Sequence, residues 1–238
     1  MTKTVHNADR RLKALVRRHG TPLLAISRAA LRTQLDRFRK ALPRIEPFYA
    51  VKANPNPGVL KALAAWGAGF DVASQAEMEA VLAAGVSPSR LIFANTIKPA
   101  KAIAAAAARG VDLMTFDSEY ELDKIAALAP GARVVVRIKV PNVGSLVELS
   151  LKFGVDPANA CEFLIKAHKL GLRPAGVSFH VGSQCTSLEN YIDALEMAAI
   201  IVRDARLKQI PIDLLDIGGG FPIRHFDHEA DPFDEVAS

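Results

Sequence analysis

Three short stretches of this 238-residue chain carry residue types that can do chemistry together. The first is PFYAVKAN, Pro47 to Asn54, where an apolar run ends on a single lysine, Lys52. Phe48, Tyr49, Ala50 and Val51, bounded by prolines, read as a strand buried on both faces whose last position delivers an amine to one rim of a sheet. Such an amine either snorkels to water or sits in a pocket that tunes it for reaction. The second is VSFHVGSQC, Val177 to Cys185. Strand alternation puts Ser178 and His180 on one face, and Ser183 opens the following loop with a hydroxyl that can donate to phosphate. His180 is either a satisfied core histidine or a flat partner for a ligand ring. The third is LLDIGGGFP, Leu214 to Pro222. Gly218, Gly219 and Gly220 are either a tight turn or a stretch of uncovered backbone N–H groups that cradles phosphate. No Gly-Lys-Ser/Thr follows and the spacing is not that of a dinucleotide fingerprint, so neither nucleotide motif applies.

Two further charges belong near these stretches. Asp71, in GFDVAS, lies on the strand next to that of Lys52 and can pair with it; Ser74 and Glu77 beside it match a helix capping box. Arg137 in VVVRI and the segment LKFG, Leu151 to Gly154, are strand-end charges with either a site or a surface role. An amine, a phosphate cradle and a flat histidine together describe one cofactor, pyridoxal 5′-phosphate: its aldehyde needs the amine, its phosphate needs backbone donors and its ring needs a planar partner. The histidines are scattered, and the His225/His228 pair has no third ligand beyond common acids, so no metal is implied.

These residues need a scaffold that brings strand ends together. Apolar strand candidates centre near Tyr49, Phe70, Ile92, Leu113, Val135, Ser178 and Leu214, the first five recurring about every 22 residues. Amphipathic stretches lie between them: Gly58 to Trp66, Gln75 to Ala84, Pro99 to Arg109, Glu119 to Ala129, Pro157 to Leu170 and Leu188 to Leu207. This alternation predicts parallel βαβ units, and the even period with polar strand ends favours closure toward a (β/α)8 barrel whose ligand face lies at those ends. Upstream, a helix from Asn7 to His19 ends at Gly20. A strand is expected over Pro22 to Ile26, and Ser27 caps a helix from Arg28 to about Lys40. The expected division is residues 1–44 as an N-terminal helix, strand and helix, 45–224 as the barrel, and 225–238 as an acidic tail.

Composition sets the class. Half the residues are apolar, enough for a large core, and no run approaches the roughly 18 residues of a membrane span. The N-terminus lacks the apolar core of a secretory signal, which predicts a cytoplasmic protein. Cys161 and Cys185 have no metal or disulfide pattern; Cys161 reads as a helix core residue and Cys185 as a loop residue beside the site. The net charge of +5 is concentrated before residue 45. Without interleaved aromatics or a recognition motif, that basic segment reads as a solvated or intersubunit face and not as a nucleic-acid surface.

PFYAVKANPNP, GFDVASQAE, FANTIKP, MTFDSEYEL, LKFG, VSFHVGSQC and LLDIGGGFP, in this order, resemble the pyridoxal-phosphate-dependent basic amino acid decarboxylases of the alanine racemase-type fold. FHVGSQC and DIGGGFP look more like the ornithine and lysine/ornithine branch than the diaminopimelate branch. By motif, Lys52 resembles the Schiff-base lysine and His180 the residue that stacks on the pyridine ring. Ser183 and Gly218 to Gly220 resemble the phosphate binders, and Asp71 and Arg137 match positions near the reactive end of the cofactor. The implied reaction is α-decarboxylation of ornithine or lysine to a diamine, in a homodimer. Relatives of this kind continue into an eighth strand with a Glu-Pro-Gly-Arg motif and into a β-domain that contributes to the active site. Neither occurs in these residues, so the resemblance implies the barrel portion of such an enzyme or a truncated product. The same reasoning expects Pro22 to Ile26 to be the strand that joins the β-domain, and the chain by itself to associate through exposed edges. A non-catalytic regulator that keeps the cofactor or a partner site, and a single-barrel cofactor carrier, are the rival readings.

Overall fold

A computed structural model of the chain describes residues 2–142, 145, 152–223 and 233–236. After helices α1 (Thr2–His19) and α2 (Arg28–Ala41), strands and helices alternate: β1 (Phe48–Ala50), α3 (Pro57–Ala65), β2 (Gly69–Val72), α4 (Gln75–Ala83), β3 (Leu91–Phe93), α5 (Ala100–Ala108) and β4 (Leu113–Phe116). Then come α6 (Glu119–Leu128), β5 (Arg133–Arg137), α7 (Ala160–Lys169), β6 (Arg173–Ser178), α8 (Leu188–Leu207), β7 (Leu214–Asp216) and a short α9 (Phe233–Val236). The seven strands are parallel and ordered β1 to β7, so each pairs with its sequence neighbour. The result is a half-barrel, built as the strand rhythm predicts.

Two hydrophobic clusters show which way each strand faces. Phe70, Val72, Phe93, Met114, Phe116, Val134 and Val136 pack in the large cluster with the helices. Ile92, Leu113, Val135, Ala175 and Leu214 form a small cluster on the other, inner face. Because side chains alternate along a strand, Asp71 lies on the inner face between Phe70 and Val72. Arg137 shares the face of Val135, and Asp216 that of Leu214. All three stand toward the C-terminal ends of their strands, where a barrel binds its ligand.

The helix starts follow from their caps. Ser27, Ser74 and Ser118 accept from the backbone N–H three residues on, and Glu77 returns a bond to Ala73 N–H, completing the expected capping box with a one-residue offset. The chain after Gly20 departs from expectation. Pro22 to Ile26 is not a strand, and Leu24 is 82% exposed; an apolar run becomes a strand only by pairing, and no described strand lies beside it. β1 is likewise not buried on both faces. As the edge strand it leaves Phe48 39% exposed, while Val51, just beyond it, is fully buried. Within the expected acidic tail, Phe233 of α9 is buried against the rings of Phe38 and Phe221. His225 and His228 lie outside the described residues.

Candidate active site

Lys52 sits one step later than the strand reading placed it. β1 ends at Ala50, and a single 3₁₀ turn, Val51–Ala53, carries the lysine with its side chain exposed. Val51 anchors this turn in the core, and Asn54 N–H closes it on Val51 O at 3.1 Å. Asp71 stands opposite Ala50 in the β1–β2 register. It attracts Lys52 through space without forming a direct ion pair.

His180 follows β6 and is partly buried. Its Nδ1 accepts from Gly182 N–H at 3.0 Å, which places the ring proton on Nε2. Burial first, then the Arg137 and Lys52 charges, push its pKa down to about 4. The imidazole is therefore a neutral, flat group at neutral pH.

The glycine turn closes against the His180 loop through several bonds. Cys185 N–H donates to Gly220 O at 2.8 Å, Tyr191 OH donates to Gly219 O at 3.2 Å, and Gln184 grips the backbone of Ile223 with both ends of its amide. Gly218 and Gly220 have φ of +68° and +92°. A Cβ would fall 2.2 Å from Phe179 O at Gly218 and 2.0 Å from Gly182 O at Gly220. Only glycine fits either place. The middle residue differs: a Cβ on Gly219 would meet nothing nearer than His180 Nε2 at 3.9 Å.

The three glycines also differ as donors. Gly218 N–H donates to Asp216 Oδ1 at 2.8 Å and is spent on the turn. The Gly219 and Gly220 N–H groups and the Ser183 hydroxyl have no acceptor among the described residues, and they lie on the two stitched loops. The triplet is thus a tight turn at Gly218 that leaves the next two N–H groups uncovered.

Arg137 is attracted by three carboxylates, Asp71 of β2, Asp216 of β7 and Asp117 just after β4. Burial lowers its pKa, opposed by Asp117, Asp216 and Asp71 in that order. Asp71 is pushed up to about 6, by burial first and by Asp216 next, with Lys52 opposing. Asp216 is raised by burial, against the Gly218 N–H and Arg137. Sequence reasoning placed Asp71 and Arg137 near the reactive end of the site but gave no individual role to Asp117, Asp216 or Tyr191. The signal for the two acids was available, since each continues the inner-face alternation of its strand. Nothing in the sequence marked Tyr191 apart from other helix residues.

Two cysteines and one lysine complete the account. Cys161 is partly exposed on α7, and Cys185 is buried, its Sγ accepting from Asn190 Nδ2 at 3.3 Å. Lys98, unremarked in FANTIKP, is fully buried. Its Nζ donates to Asn95 O and Thr115 O and pairs with Glu121 at 2.9 Å, binding the ends of β3 and β4.

A lysine, a neutral histidine and an uncovered glycine turn at the C-terminal ends of a parallel half-barrel define a pyridoxal-phosphate-binding barrel. The turn supports this class, because Gly218 and Gly220 admit no side chain and the Gly219 and Gly220 N–H groups meet no acceptor among the described residues. The chain belongs to the pyridoxal-dependent decarboxylases: the model of their pyridoxal binding domain matches residues 28–238. It is 42% identical over 221 residues to the lysine/ornithine decarboxylase of Selenomonas ruminantium, covering 93% of this chain and 56% of that protein. It is 48% identical over 187 residues to antizyme inhibitor 2 of Xenopus laevis, covering 78% and 41%. The crystal structure of the Selenomonas ruminantium lysine decarboxylase superposes with a TM-score of 0.90 at 40% identity, over 96% of this chain and 60% of that one. The chain spans about half the length of the curated relatives it matches. Among the described residues no helix is long and apolar enough to cross a membrane.

Proposed function

We propose that this chain is the cofactor-binding part of a decarboxylase that converts ornithine or lysine to the corresponding diamine. The observation that carries the reading is the convergence of Lys52, His180 and the Gly218–Gly220 turn on one mouth of the half-barrel. When bound, pyridoxal phosphate supplies the electron sink for the pair released as the α-carboxylate leaves as CO2. Lys52 would hold the cofactor through its aldehyde and would supply a proton carrier beside it. His180 would offer a flat face to the cofactor ring, and its low pKa keeps that face uncharged throughout the neutral range. Gly219 N–H, Gly220 N–H and Ser183 Oγ would hold the phosphate, while Gly218 and Asp216 shape the turn. Asp71 and Arg137 set the charge around Lys52. The relatives support the substrate class, since one solved structure is a Selenomonas decarboxylase with cadaverine and another a Vibrio vulnificus lysine/ornithine decarboxylase with putrescine. A cytoplasmic homodimer, with residues 45–224 as the barrel portion, completes the reading.

The similarity to antizyme inhibitor 2 favours a second reading, a regulatory relative without turnover. Titration with pyridoxal phosphate followed by absorbance, together with CO2 release from carboxyl-labelled ornithine and lysine, separates the two. Cofactor uptake with CO2 release that Lys52→Ala abolishes supports the decarboxylase. Uptake without release assigns a regulator that keeps the cofactor, and no uptake refutes the decarboxylase and leaves only a regulator that keeps a partner site.

A further inference from the structure

Asp117 has contacts that binding of the cofactor leaves unexplained. It directly follows β4, and its Oδ2 accepts from Gly154 N–H at 2.9 Å, across 37 residues of sequence. Gly154 ends a turn, Lys152 to Gly154, that brings the chain back onto the exit of β5. There Val155 N–H donates to Arg137 O and Lys139 N–H to Val155 O, each at 2.9 Å, forming a parallel bridge between Ile138 and Val155. The seat is tight: a Cβ on Gly154 would lie 2.6 Å from the Ile138 carbonyl carbon. The turn carries Phe153, whose ring centroid is 5.0 Å from the Arg137 guanidinium carbon. Among the charges that favour the Arg137 cation, Asp117 acts most strongly. One carboxylate therefore reaches both halves of the Arg137–Phe153 contact, attracting the cation and tying down the turn that bears the ring.

Without that tie Arg137 is left to Asp216 and Asp71. Asp71 is also the carboxylate that attracts Lys52. A guanidinium released from Phe153 would compete for it and change the charge beside the reactive amine. We propose that Asp117 is a positioning residue: by holding the Lys152–Gly154 turn to the end of β4 it clamps Arg137 against Phe153, and so keeps Asp71 for Lys52. This rests on the cofactor site proposed above.

The experiment uses the full natural protein with Asp117→Ala, Asp117→Asn and Phe153→Ala, read by amide hydrogen exchange at Gly154 and by titration with pyridoxal phosphate. In Asp117→Ala, exchange at Gly154 accelerates about tenfold or more, as expected for losing a hydrogen bond to a charged acceptor, and cofactor affinity falls about tenfold. Asp117→Asn keeps an accepting oxygen, so exchange stays slow and affinity returns to within about threefold of the parent. Phe153→Ala weakens affinity by a similar factor, and combining it with Asp117→Ala adds little, because both act through one contact. Unchanged exchange at Gly154 in Asp117→Ala would overturn the tie, and accelerated exchange with unchanged affinity would overturn the positioning role. Strictly additive losses would do so too. Should Asp117→Ala not fold, an Asp117→Asn protein as weak as expected for the alanine, beside an unaffected Phe153→Ala, refutes the proposal. If the parent takes up no cofactor, the functional reading fails, while exchange at Gly154 still decides the tie.

Discussion

Replacing each residue of the Gly218–Gly220 turn by alanine should separate folding from cofactor binding within three consecutive positions. At Gly220 the new methyl would stand 2.0 Å from Gly182 O at a φ of +92°. The left-handed backbone costs an L-residue about 1–2 kcal/mol, and relief of the clash requires the His180 loop to move, an overpacking cost of about 1–3 kcal/mol. Gly218, with 2.2 Å to Phe179 O and a φ of +68°, faces the same two costs. Each substitution should therefore destabilise by roughly 3 kcal/mol. At Gly219 φ is not positive and the nearest atom is 3.9 Å away, so the fold should change by no more than about 0.5 kcal/mol. That methyl nevertheless points toward His180 Nε2, into the space between ring and donors, and should lower cofactor affinity. Urea unfolding of the three variants, with the m-value checked against the parent, gives the stabilities, and pyridoxal phosphate titration gives the affinities. Equal destabilisation at Gly219 and Gly220, or a Gly219→Ala protein that binds the cofactor like the parent, would refute the division of labour.

The pH dependence of stability tests the site's electrostatics. Asp71 has its pKa raised from 3.8 to about 6, so its contribution is present below pH 4 and is lost as pH rises through 6. His180 has its pKa lowered from 6.5 to about 4, so its contribution is present above pH 6.5 and is lost as pH falls through 4. Between pH 4 and 6 the two oppose. Unfolding free energies from urea titration should rise with pH in Asp71→Asn and fall with pH in His180→Asn, each by at most about 1.4 kcal/mol per pH unit, with the parent flatter than both; a parent as steep as either variant contradicts the assignment. Lys98→Met should cost about 3 kcal/mol, the low end for removing one partner of a buried pair, because Lys124 still holds Glu121 at 2.7 Å. Lys124→Met, which leaves the fully buried pair intact, should cost less than half as much in the same unfolding assay.

The barrel-like architecture was legible because its signal is periodic. Each strand centre named from apolar runs falls in or at the end of an observed strand, and Leu188–Leu207 is helical over the whole predicted span. The readings that failed concern single partners. PLLAI carries strand-forming residues, but composition cannot say whether a neighbouring strand exists to pair with it. The burial of Phe48–Val51 was overestimated for the same reason, since an edge strand and a central one read alike. Within the site, Lys52 and His180 were visible as polar residues ending apolar runs. Asp216 was hidden inside a motif whose glycines drew attention, and its role follows from a 2.8 Å bond to Gly218 that only the folded turn creates. Lys98 was invisible because a lysine is ordinarily an exposed residue, and three acceptors from separate elements are needed to make its burial tolerable.

The strand order, β1 through β7 without a crossover, also bears on how the chain acquires its shape. Every strand's partner is the one made just before it, so each pairing closes only a short loop. The sheet can therefore lengthen strand by strand as the polypeptide leaves the ribosome, with the earlier strands serving as template for the next. At each stage the newest strand is an open edge, so shielding that edge until its successor arrives becomes the step at which misassembly competes with synthesis.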